Sequence, residues 1–271
     1  MPGPPVILSI AGYDPSSGAG ITADVKTAAA LGCYAATCIT ALTVQSTQGV
    51  FGVRPLEPEL VARTLNTLAD DLEIVAIRIG MLGSGAVAGI VSGFLTSRRL
   101  PNVVLDPVIR SSSGTPLLDE IGLEMLRALL PLCHVVTPNV AEAAELAMVE
   151  KLESEASWPE ALPWLRNTAA RLHDLGARNV IITGGHLRPA NDYLSSRGPG
   201  GSQPEVIAGE RIESRSTHGT GCAFATALAC RLALGDELAQ AARAAKEYVA
   251  RAIRSAYPLG KGVGPVNHFP E

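Results

Sequence analysis

The sequence predicts a three-layer α/β/α sandwich built on a mostly parallel central sheet. Short apolar segments alternate with longer amphipathic segments along most of the 271 residues. The apolar segments lack the polar alternation of half-exposed strands, which is typical of parallel strands that are covered by helices on both faces. A repeated order of strand and helix favours a three-layer α/β domain.

The individual elements follow from these patterns in chain order. Apolar runs rich in β-branched residues predict strands at 6–11, 38–42, 74–79, 103–105, 135–136 and 180–182. Amphipathic or Ala-rich stretches predict helices at 19–31, 59–72, 86–96, 119–130, 141–150, 164–175, 218–234 and 236–257. Residues 150–159 are predicted to be a surface connection, and residues 195–202 a surface loop or hairpin tip. Since α/β folds of about 250 residues often form one domain, residues 1–271 are predicted to be a single domain.

Composition excludes several classes of protein. The 22 basic and 26 acidic residues give a net charge of −4, so a nucleic-acid or anionic-membrane partner is not expected. No apolar run is long enough for a membrane span, and the first residues lack the basic region of a signal peptide. The five cysteines contain no CxxC pair, which argues against a disulfide framework or a zinc site. We therefore expect a reduced, cytoplasmic protein.

A glycine-rich segment opens the helix predicted at 218–234. Gly219, Thr220 and Gly221 would let backbone N–H groups converge at the positive end of the helix dipole, which suits a phosphate group. A plain tight turn into a helix explains the glycines equally well. Cys222 lies in the first turn, where N–H donors would lower a thiol pKa. The alternative is a small buried apolar residue, the more common role of cysteine.

The segments that follow the first two predicted strands contain further candidates. Residues 11–20 match neither a dinucleotide fingerprint nor a Walker A loop, but they lie at the strand end where open α/β sheets bind ligands. Asp24 lies one turn into the next helix and could equally be a solvated residue. Gln45, predicted in a loop, offers the donor and acceptor that an aminopyrimidine edge requires. A lone glutamine in a loop is more often simply exposed.

Three oxygen-bearing side chains could hold Mg²⁺, directly or through water. Asp106 follows a predicted strand, and Asn139 and Glu142 are three residues apart at a helix start. A capping box, in which Asn139 is the N-cap and Glu142 its N3 partner, explains the same spacing. The residues alone favour the capping box.

These segments, in this order, resemble the hydroxymethylpyrimidine/phosphomethylpyrimidine kinases of thiamine biosynthesis, within the ribokinase-like superfamily. The resemblance spans nearly the whole chain and rests on AGYDPSSGAGITADVKT, ITALTVQSTQGV, IRIGML, VVLDPV, TPNVAEA, VIITGGHL, STHGTGCAFATALA and the terminal GVGPVNHF. It implies one ribokinase-like kinase domain over residues 1–271. It also implies phosphorylation of 4-amino-5-hydroxymethyl-2-methylpyrimidine, and then of its monophosphate, with ATP and Mg²⁺. Such relatives often form homodimers, although this sequence has no distinct interface signature.

The resemblance also implies roles for individual residues. The substrate-binding positions are Gly12, Ala19, Asp24, Gln45, Met81 and Val108. The anion hole is Gly219, Thr220 and Gly221, and Cys222 stands where most of the superfamily has an aspartate general base. The metal positions are Asp106 and Glu142, and the nucleotide-binding positions are Asn139, Thr183, Gly184 and Gly185.

The sequence departs from the family pattern at three places. Ser17 replaces a glycine that is common in the first loop, and it would be unfavourable if the backbone there required a positive φ. Thr183 replaces a common lysine, and Ser111 with its two following serines replaces another. Two alternatives therefore stay open: a pyridoxal- or pyridoxine-type kinase of the same superfamily, and a catalytically silent pyrimidine-binding relative.

Overall fold

Nine strands form the central sheet of the computed structural model, which describes residues 3–111, 114–153, 156–198 and 204–270. The strands are β1 (Val6–Tyr13), β2 (Tyr34–Ser46), β3 (Gly49–Pro55), β4 (Ile74–Ile79), β5 (Val103–Leu105), β6 (Val135–Val136), β7 (Asn179–Ile182), β8 (Asp192–Ser196) and β9 (Glu205–Ile207). Their order across the sheet is β3-β2-β1-β4-β5-β6-β7-β8-β9. The six inner strands are parallel, whereas β3, β8 and β9 are antiparallel. The predicted, mostly parallel sheet is confirmed.

Within the described residues, eight α-helices cover the two faces of this sheet. They are α1 (Gly20–Ala30), α2 (Pro58–Asp71), α3 (Gly85–Arg98), α4 (Glu120–Leu129), α5 (Val140–Ala147), α6 (Trp158–Asp174), α7 (Thr220–Ala233) and α8 (Leu238–Arg254). Helices α1, α7 and α8 enclose one apolar core, and α2 to α6 enclose the other. The predicted three-layer sandwich is therefore confirmed. Within the described ranges, every helix is too short or too polar to span a lipid bilayer.

The six predicted strands and eight predicted helices are present, but several boundaries and three strands were missed. Strand β2 runs to Ser46, so Gln45 lies in a strand and the prediction of a loop there was wrong. The missed strand β3 contains Gly49 and Gly52 and ends at Pro55, residue types that normally indicate turns. It forms because the end of β2 extends beyond the inner strands and pairs with it in antiparallel fashion.

The predicted connections differ in how much of them the structure describes. Strands β8 and β9 pair in antiparallel fashion around the segment predicted as a hairpin tip, although residues 199–203 lie outside the described part. Residues 154 and 155 of the other predicted connection, and residues 112 and 113, are also outside it. Helix α6 begins six residues earlier than predicted, because Ser157 and Glu160 form a capping box before Trp158.

Candidate active site

The parallel strands bring their carboxyl ends to one edge of the sheet. Asp14 follows β1, Gly80 follows β4, Asp106 follows β5 and Thr183 follows β7. The glycine-rich start of α7 packs against the first loop at this edge, where a Cβ on Gly219 would lie 1.9 Å from a backbone oxygen of that loop. The edge is therefore the candidate active site, as is usual for open α/β sheets.

A fully buried arginine lies at the base of this edge. Arg78 Nη1 lies 3.1 Å from Asp24 Oδ2, and Arg78 Nη2 lies 2.6 Å from Asp106 Oδ2. Asp24 also accepts hydrogen bonds from Ser9 Oγ at 2.5 Å and Thr226 Oγ1 at 2.8 Å. Each aspartate therefore has a cationic partner, as buried charges require. In this structure the carboxylate of Asp24 faces this network.

The electrostatics of the network reflect burial opposed by the arginine. Burial raises the pKa of Asp24 and of Asp106, and the nearby Arg78 guanidinium acts in the opposite direction on both. The guanidinium passes directly over Gly80, where an added Cβ would lie 1.9 Å from Arg78 Nη1. Only glycine fits at position 80 while the arginine keeps this conformation.

Cys222 lies beside this network, in the first turn of α7. Burial, together with the charges of Asp106 and Asp24, raises the pKa of its thiol to about 12, although Arg78 and the backbone N–H of Gly20 act in the opposite direction. The prediction of a lowered thiol pKa was therefore wrong. The backbone donors at the helix start stabilise a thiolate less than burial and two neighbouring carboxylates destabilise it.

The start of α7 has the geometry predicted for an anion site. Gly219 is the N-cap residue, with a left-handed φ of 86°, and the helix begins at Thr220. The first backbone N–H groups of a helix have no acceptor within it and carry its positive dipole end. Gly221 is exposed, and a Cβ built on it would meet nothing within 4 Å. The space beside Gly221 is therefore open at the end of the helix where these N–H groups lie.

A small apolar cluster, separate from the two main cores, lies at the same edge. Buried Ala41, Met81 and Leu117 form it, and Val108 packs against them. Gly12 is in close contact with Met81, because a Cβ on Gly12 would lie 2.8 Å from Met81 Sδ. Three residues predicted to bind substrate, Gly12, Met81 and Val108, are thus brought together on an apolar surface.

Polar groups line the first loop and the end of β2. The carboxylate of Asp14 accepts hydrogen bonds from the backbone N–H of Ala19 at 2.9 Å and pairs with His218 Nε2 at 2.8 Å. Gln45 Nε2 lies 3.2 Å from the same histidine nitrogen, and Thr43 Oγ1 donates to Gln45 Oε1 at 3.2 Å. Although burial opposes it, the hydrogen bond from His218 holds the pKa of Asp14 below its usual value.

The first loop contains a backbone conformation that disfavours its residue. Ser17 has a φ of 61°, in the left-handed region that glycine adopts most readily. The condition under which a serine would be unfavourable at this position is therefore met.

We expect Ser17→Gly to raise the free energy of unfolding by about 0.5–1 kcal/mol, because relief of the left-handed strain exceeds the added flexibility of the unfolded chain. Urea denaturation measures this. Arg99, with a φ of 47° at the end of α3, is a matched control far from the loop, and Arg99→Gly should give a gain of similar size. A loss of stability in Ser17→Gly would contradict this explanation.

The predicted capping box is present at the start of α5. Asn139 Oδ1 accepts from the backbone N–H of Glu142 at 3.0 Å, and Glu142 Oε2 accepts from the backbone N–H of Asn139 at 2.9 Å. Burial and the charge of Asp106 raise the pKa of Glu142 to about 8. Glu142 therefore has a structural role, and it also lies close enough to Asp106 for the two carboxylates to repel each other.

The remaining predicted residues lie near the end of β7. Thr183 pairs with Asn139 in an isolated parallel bridge. The backbone N–H of Gly184 donates to buried Asp192 Oδ1 at 2.9 Å, and Lys246 Nζ lies 2.6 Å from the same oxygen. Gly185 is exposed, and a Cβ built on it would meet nothing within 4 Å.

Sequence reasoning missed several residues of this site. Arg78 was detectable as the charged residue of an otherwise apolar predicted strand, but it was not singled out. His218 lay inside the glycine-rich motif without a role, and Asp192 and Lys246 gave no local signal, because their pairing depends on elements far apart in the chain.

Comparison with known proteins gives a consistent result. A family described as phosphomethylpyrimidine kinase matches residues 14–267. A hydroxymethylpyrimidine/phosphomethylpyrimidine kinase from Streptomyces coelicolor is 41% identical over 267 residues, which cover 98% of this chain and 94% of that protein. The Bacillus subtilis pyridoxal kinase, solved as an ADP complex, superposes with a TM-score of 0.86 at 32% identity and covers 98% of each chain.

One similar protein is about twice as long. The thiamine biosynthesis bifunctional protein ThiED of Geobacter sulfurreducens is 41% identical over 264 residues, which cover 97% of this chain but 52% of that protein. The present chain therefore spans about half the length of this bifunctional relative.

Proposed function

The chain belongs to the phosphomethylpyrimidine kinase family, and from this premise we propose that it phosphorylates 4-amino-5-hydroxymethyl-2-methylpyrimidine and then its monophosphate, with ATP as the phosphate donor. The product would be the pyrimidine diphosphate used in thiamine diphosphate biosynthesis. The proposal concerns the part of the bifunctional relative that this chain matches.

The observation that carries this proposal is the juxtaposition of an apolar surface and an anion site at one sheet edge. Met81 and Val108 offer the apolar surface for a flat ring, and Gln45 offers a donor and an acceptor nearby. The N-terminus of α7 supplies backbone donors where a transferred phosphoryl group would gain charge.

A coupled assay of ADP release across several vitamin alcohols tests this proposal. We expect the hydroxymethylpyrimidine and its monophosphate both to be phosphorylated. If a folded protein released no ADP with either compound, the proposed function would be contradicted. If no vitamin alcohol caused ADP release, the silent pyrimidine-binding relative would be favoured.

A pyridoxal-type kinase is the second candidate, because the similarity to the pyridoxal kinase from Bacillus subtilis extends over the whole fold. The second phosphorylation separates the two. A pyridoxal kinase has no reason to phosphorylate a monophosphate, so turnover of pyridoxal without turnover of the pyrimidine monophosphate would favour this candidate.

Gln45 is proposed to recognise the pyrimidine rather than to take part in the chemistry. Gln45→Leu would leave the amino group and a ring nitrogen of the ligand unpaired, which costs about 1–3 kcal/mol. We expect the KM for the pyrimidine to rise by about tenfold or more, with a smaller change in kcat. Gln48→Leu, on an exposed side chain of the same hairpin, is the control. An unchanged KM in Gln45→Leu would contradict this role.

The carboxylates at this edge suit Mg²⁺. Mg²⁺ is usually bound by one or two carboxylates together with substrate phosphates and water. Asp106 and Glu142 offer such a pair, and a cation would relieve the repulsion by Asp106 that adds to burial in raising the pKa of Glu142. The residues that the structure describes contain no group of three His, Cys, Asp or Glu side chains placed to hold a metal. Mg²⁺, when bound, would neutralise charge on the phosphate oxygens.

Replacement of Glu142 tests its role toward Mg²⁺. Glu142→Gln keeps an oxygen that can accept the capping hydrogen bond from Asn139 but removes the charge. We expect a normally folded protein that needs a several-fold higher Mg²⁺ concentration for half-maximal activity.

Glu160→Gln is the matched control, because Glu160 fills the same position in the capping box of α6. It should leave the Mg²⁺ dependence unchanged. A wild-type Mg²⁺ dependence in Glu142→Gln would mean that Glu142 is purely structural.

The remaining assignments complete the proposal. The anion hole of Gly219, Thr220 and Gly221 would stabilise charge on the transferred group, and Cys222 would accept the proton of the attacking hydroxyl. The nucleotide phosphates would lie near Asn139, Thr183, Gly184 and Gly185. Asp24 is proposed to act on the substrate site through Arg78, since its own oxygens are already bonded.

We also propose a homodimer. Val44 is 65% exposed and Phe51 is 70% exposed, on the part of β2 and β3 that extends past the inner strands. A second copy of the chain would cover these apolar side chains, and light scattering should give twice the monomer mass of 28.1 kDa.

The single sheet supports one domain over residues 1–271, and the five free cysteines support a reducing, cytoplasmic location.

A further inference from the structure

Residues near the end of the chain pack against segments that border the candidate active site. Residues 262–268, which we call the C-terminal strap, follow α8 and belong to the terminal motif GVGPVNHF. The strap forms no part of the sheet. Its backbone nevertheless makes hydrogen bonds with several segments that are distant in sequence, and these segments surround the proposed pyrimidine pocket.

The first attachment is to the end of the β2–β3 hairpin, next to Gln45. The backbone N–H of Gly262 donates to Thr47 Oγ1 at 3.2 Å, and the N–H of Val263 donates to Thr47 O at 2.9 Å. The two chains are in close contact here, because a Cβ on Gly262 would lie 2.0 Å from Thr47 O. The strap thus fixes the turn that ends the strand carrying Gln45.

The second attachment surrounds His218, just before the anion hole. The N–H of His218 donates to Gly264 O at 3.0 Å, and the N–H of Val266 donates to His218 O at 3.2 Å. The strap therefore holds the backbone of the residue whose side chain contacts both Asp14 and Gln45.

The third attachment is made by a buried side chain, His268. Its Nε2 lies 3.3 Å from Gly18 O in the first loop, and its Nδ1 lies 3.2 Å from Thr27 Oγ1 in α1. Burial, with nearby positive charges, lowers the pKa of His268 to about 4, so the ring is neutral. Since a carbonyl only accepts, Nε2 must carry the proton, and Nδ1 accepts from the threonine hydroxyl. Tyr248 Oη donates to His268 O at 2.7 Å and anchors the end of the strap.

We propose that His268 is a positioning residue for the pyrimidine half of the reaction, holding the first loop against the hairpin turn and the start of α7 through the C-terminal strap. This inference rests on the proposed function for its substrate. The strap's hydrogen bonds to Thr47, His218 and Gly18 all reach the pyrimidine side of the site. The hydrogen bonds described for the strap include none with the proposed nucleotide-binding residues Asn139, Thr183, Gly184 and Gly185.

Steady-state kinetics of His268→Ala and His268→Gln test the proposal in the full-length protein. Loss of the bond to Gly18 should raise the KM for the pyrimidine by about tenfold and change the KM for ATP by less than about twofold. Glutamine can donate to Gly18 O, so His268→Gln should recover most of the effect. An unchanged pyrimidine KM, or an equal rise in both KM values, would overturn the proposal.

The chain offers a matched control in His173. Its ring also joins a backbone carbonyl, Ala177 O at 2.8 Å, to a hydroxyl, Ser195 Oγ at 2.9 Å. Ala177 lies just before β7 and Ser195 lies near the end of β8. Both contacts are therefore away from the site, which lies where β7 ends. His173→Ala should therefore leave the ratio of the two KM values unchanged. The same change in this ratio as in His268→Ala would mean that the effect is merely loss of stability.

Two further measurements keep the test decisive. If His268→Ala does not fold, Tyr248→Phe removes one anchor of the strap with little change in shape and should raise the pyrimidine KM in the same selective way. Hydrogen–deuterium exchange should be faster in residues 14–20 and 43–48 of the His268 or Tyr248 variant and unchanged in residues 180–185. The same change in exchange rate, relative to the wild type, in all of these segments would overturn the proposal. Because exchange needs no substrate, it separates failure of the strap from failure of the proposed function.

Discussion

Arg78→Met is expected to lower the free energy of unfolding by about 3–5 kcal/mol, because it leaves two buried carboxylates without their cation. Arg78 lies 2.6 Å from one of them and 3.1 Å from the other, at zero exposure. Methionine replaces the aliphatic part of the arginine side chain and keeps its apolar packing, so the loss reports mainly on the guanidinium charge. Urea denaturation measures the change.

The deficit of this variant should depend on pH. Burial already holds the pKa values of Asp24 and Asp106 above their ordinary values, and loss of Arg78 would raise them further. A folded pKa above the unfolded one contributes stability at low pH, and this contribution is lost as the pH rises through the folded pKa. The difference in the free energy of unfolding between Arg78→Met and the wild type should therefore increase from about pH 4 to pH 8.

Arg98→Met provides the control for the arginine experiment. Arg98 pairs with Asp70 at 2.7 Å, but the side chains are 34% and 65% exposed. An exposed pair contributes at most about 1 kcal/mol, so this variant should be nearly as stable as the wild type. Equal losses in the two variants, or an Arg78→Met deficit that does not change with pH, would contradict the assignment of the buried network.

Cys222→Ser is expected to lower kcat by about 10²–10⁴, the usual contribution of one positioned base. Serine keeps the shape of the side chain but is a much weaker base. Cys222→Asp should keep more activity than the serine variant, because a carboxylate can accept the same proton if it fits. Nucleotide binding should persist in both variants, and calorimetric titration with ADP measures this.

The pH profile gives a second and sharper test of Cys222. The thiol pKa of Cys222 is about 12. At any pH below this value, an increase of one pH unit therefore raises the thiolate fraction about tenfold. The kcat of the wild type should therefore rise with pH between about 7 and 9, whereas the aspartate variant, whose carboxyl has a much lower ordinary pKa than a thiol, should show a smaller rise.

Cys133→Ser is the control for Cys222. Cys133 is also buried, and burial raises the pKa of its thiol to about 12. Serine can keep the hydrogen bond that Cys133 Sγ donates to Leu129 O at 3.2 Å. This variant should show the wild-type kcat and pH profile. A Cys222→Ser variant with nearly normal kcat would mean that Cys222 is only a packed thiol.

The parallel part of the sheet could be predicted because its strands are mostly apolar and its helices amphipathic. Strands β3, β8 and β9 could not, because they contain glycine, proline or polar residues and exist only through pairing with a neighbour. Gln45 was misplaced for the same reason, since β3 extends the strand that carries it.

Within the site, backbone features were more predictable than electrostatics. The capping box of Asn139 and Glu142 and the left-handed Gly219 follow from local sequence. The raised thiol pKa of Cys222 does not, because it is caused first by burial in the folded chain and then by the charges of Asp106 and Asp24, which reach it from a loop and a helix far away in the chain. The strap contacts of His268 are equally non-local.

The guanidinium that passes over Gly80 also constrains how this protein can evolve. An alanine at position 80 would collide with Arg78 Nη1, so it becomes acceptable only after position 78 has changed to a shorter side chain. That first change leaves buried Asp24 and Asp106 without their cation and is itself costly. Neither substitution is a neutral first step, so the two positions are epistatically locked and should drift together or not at all.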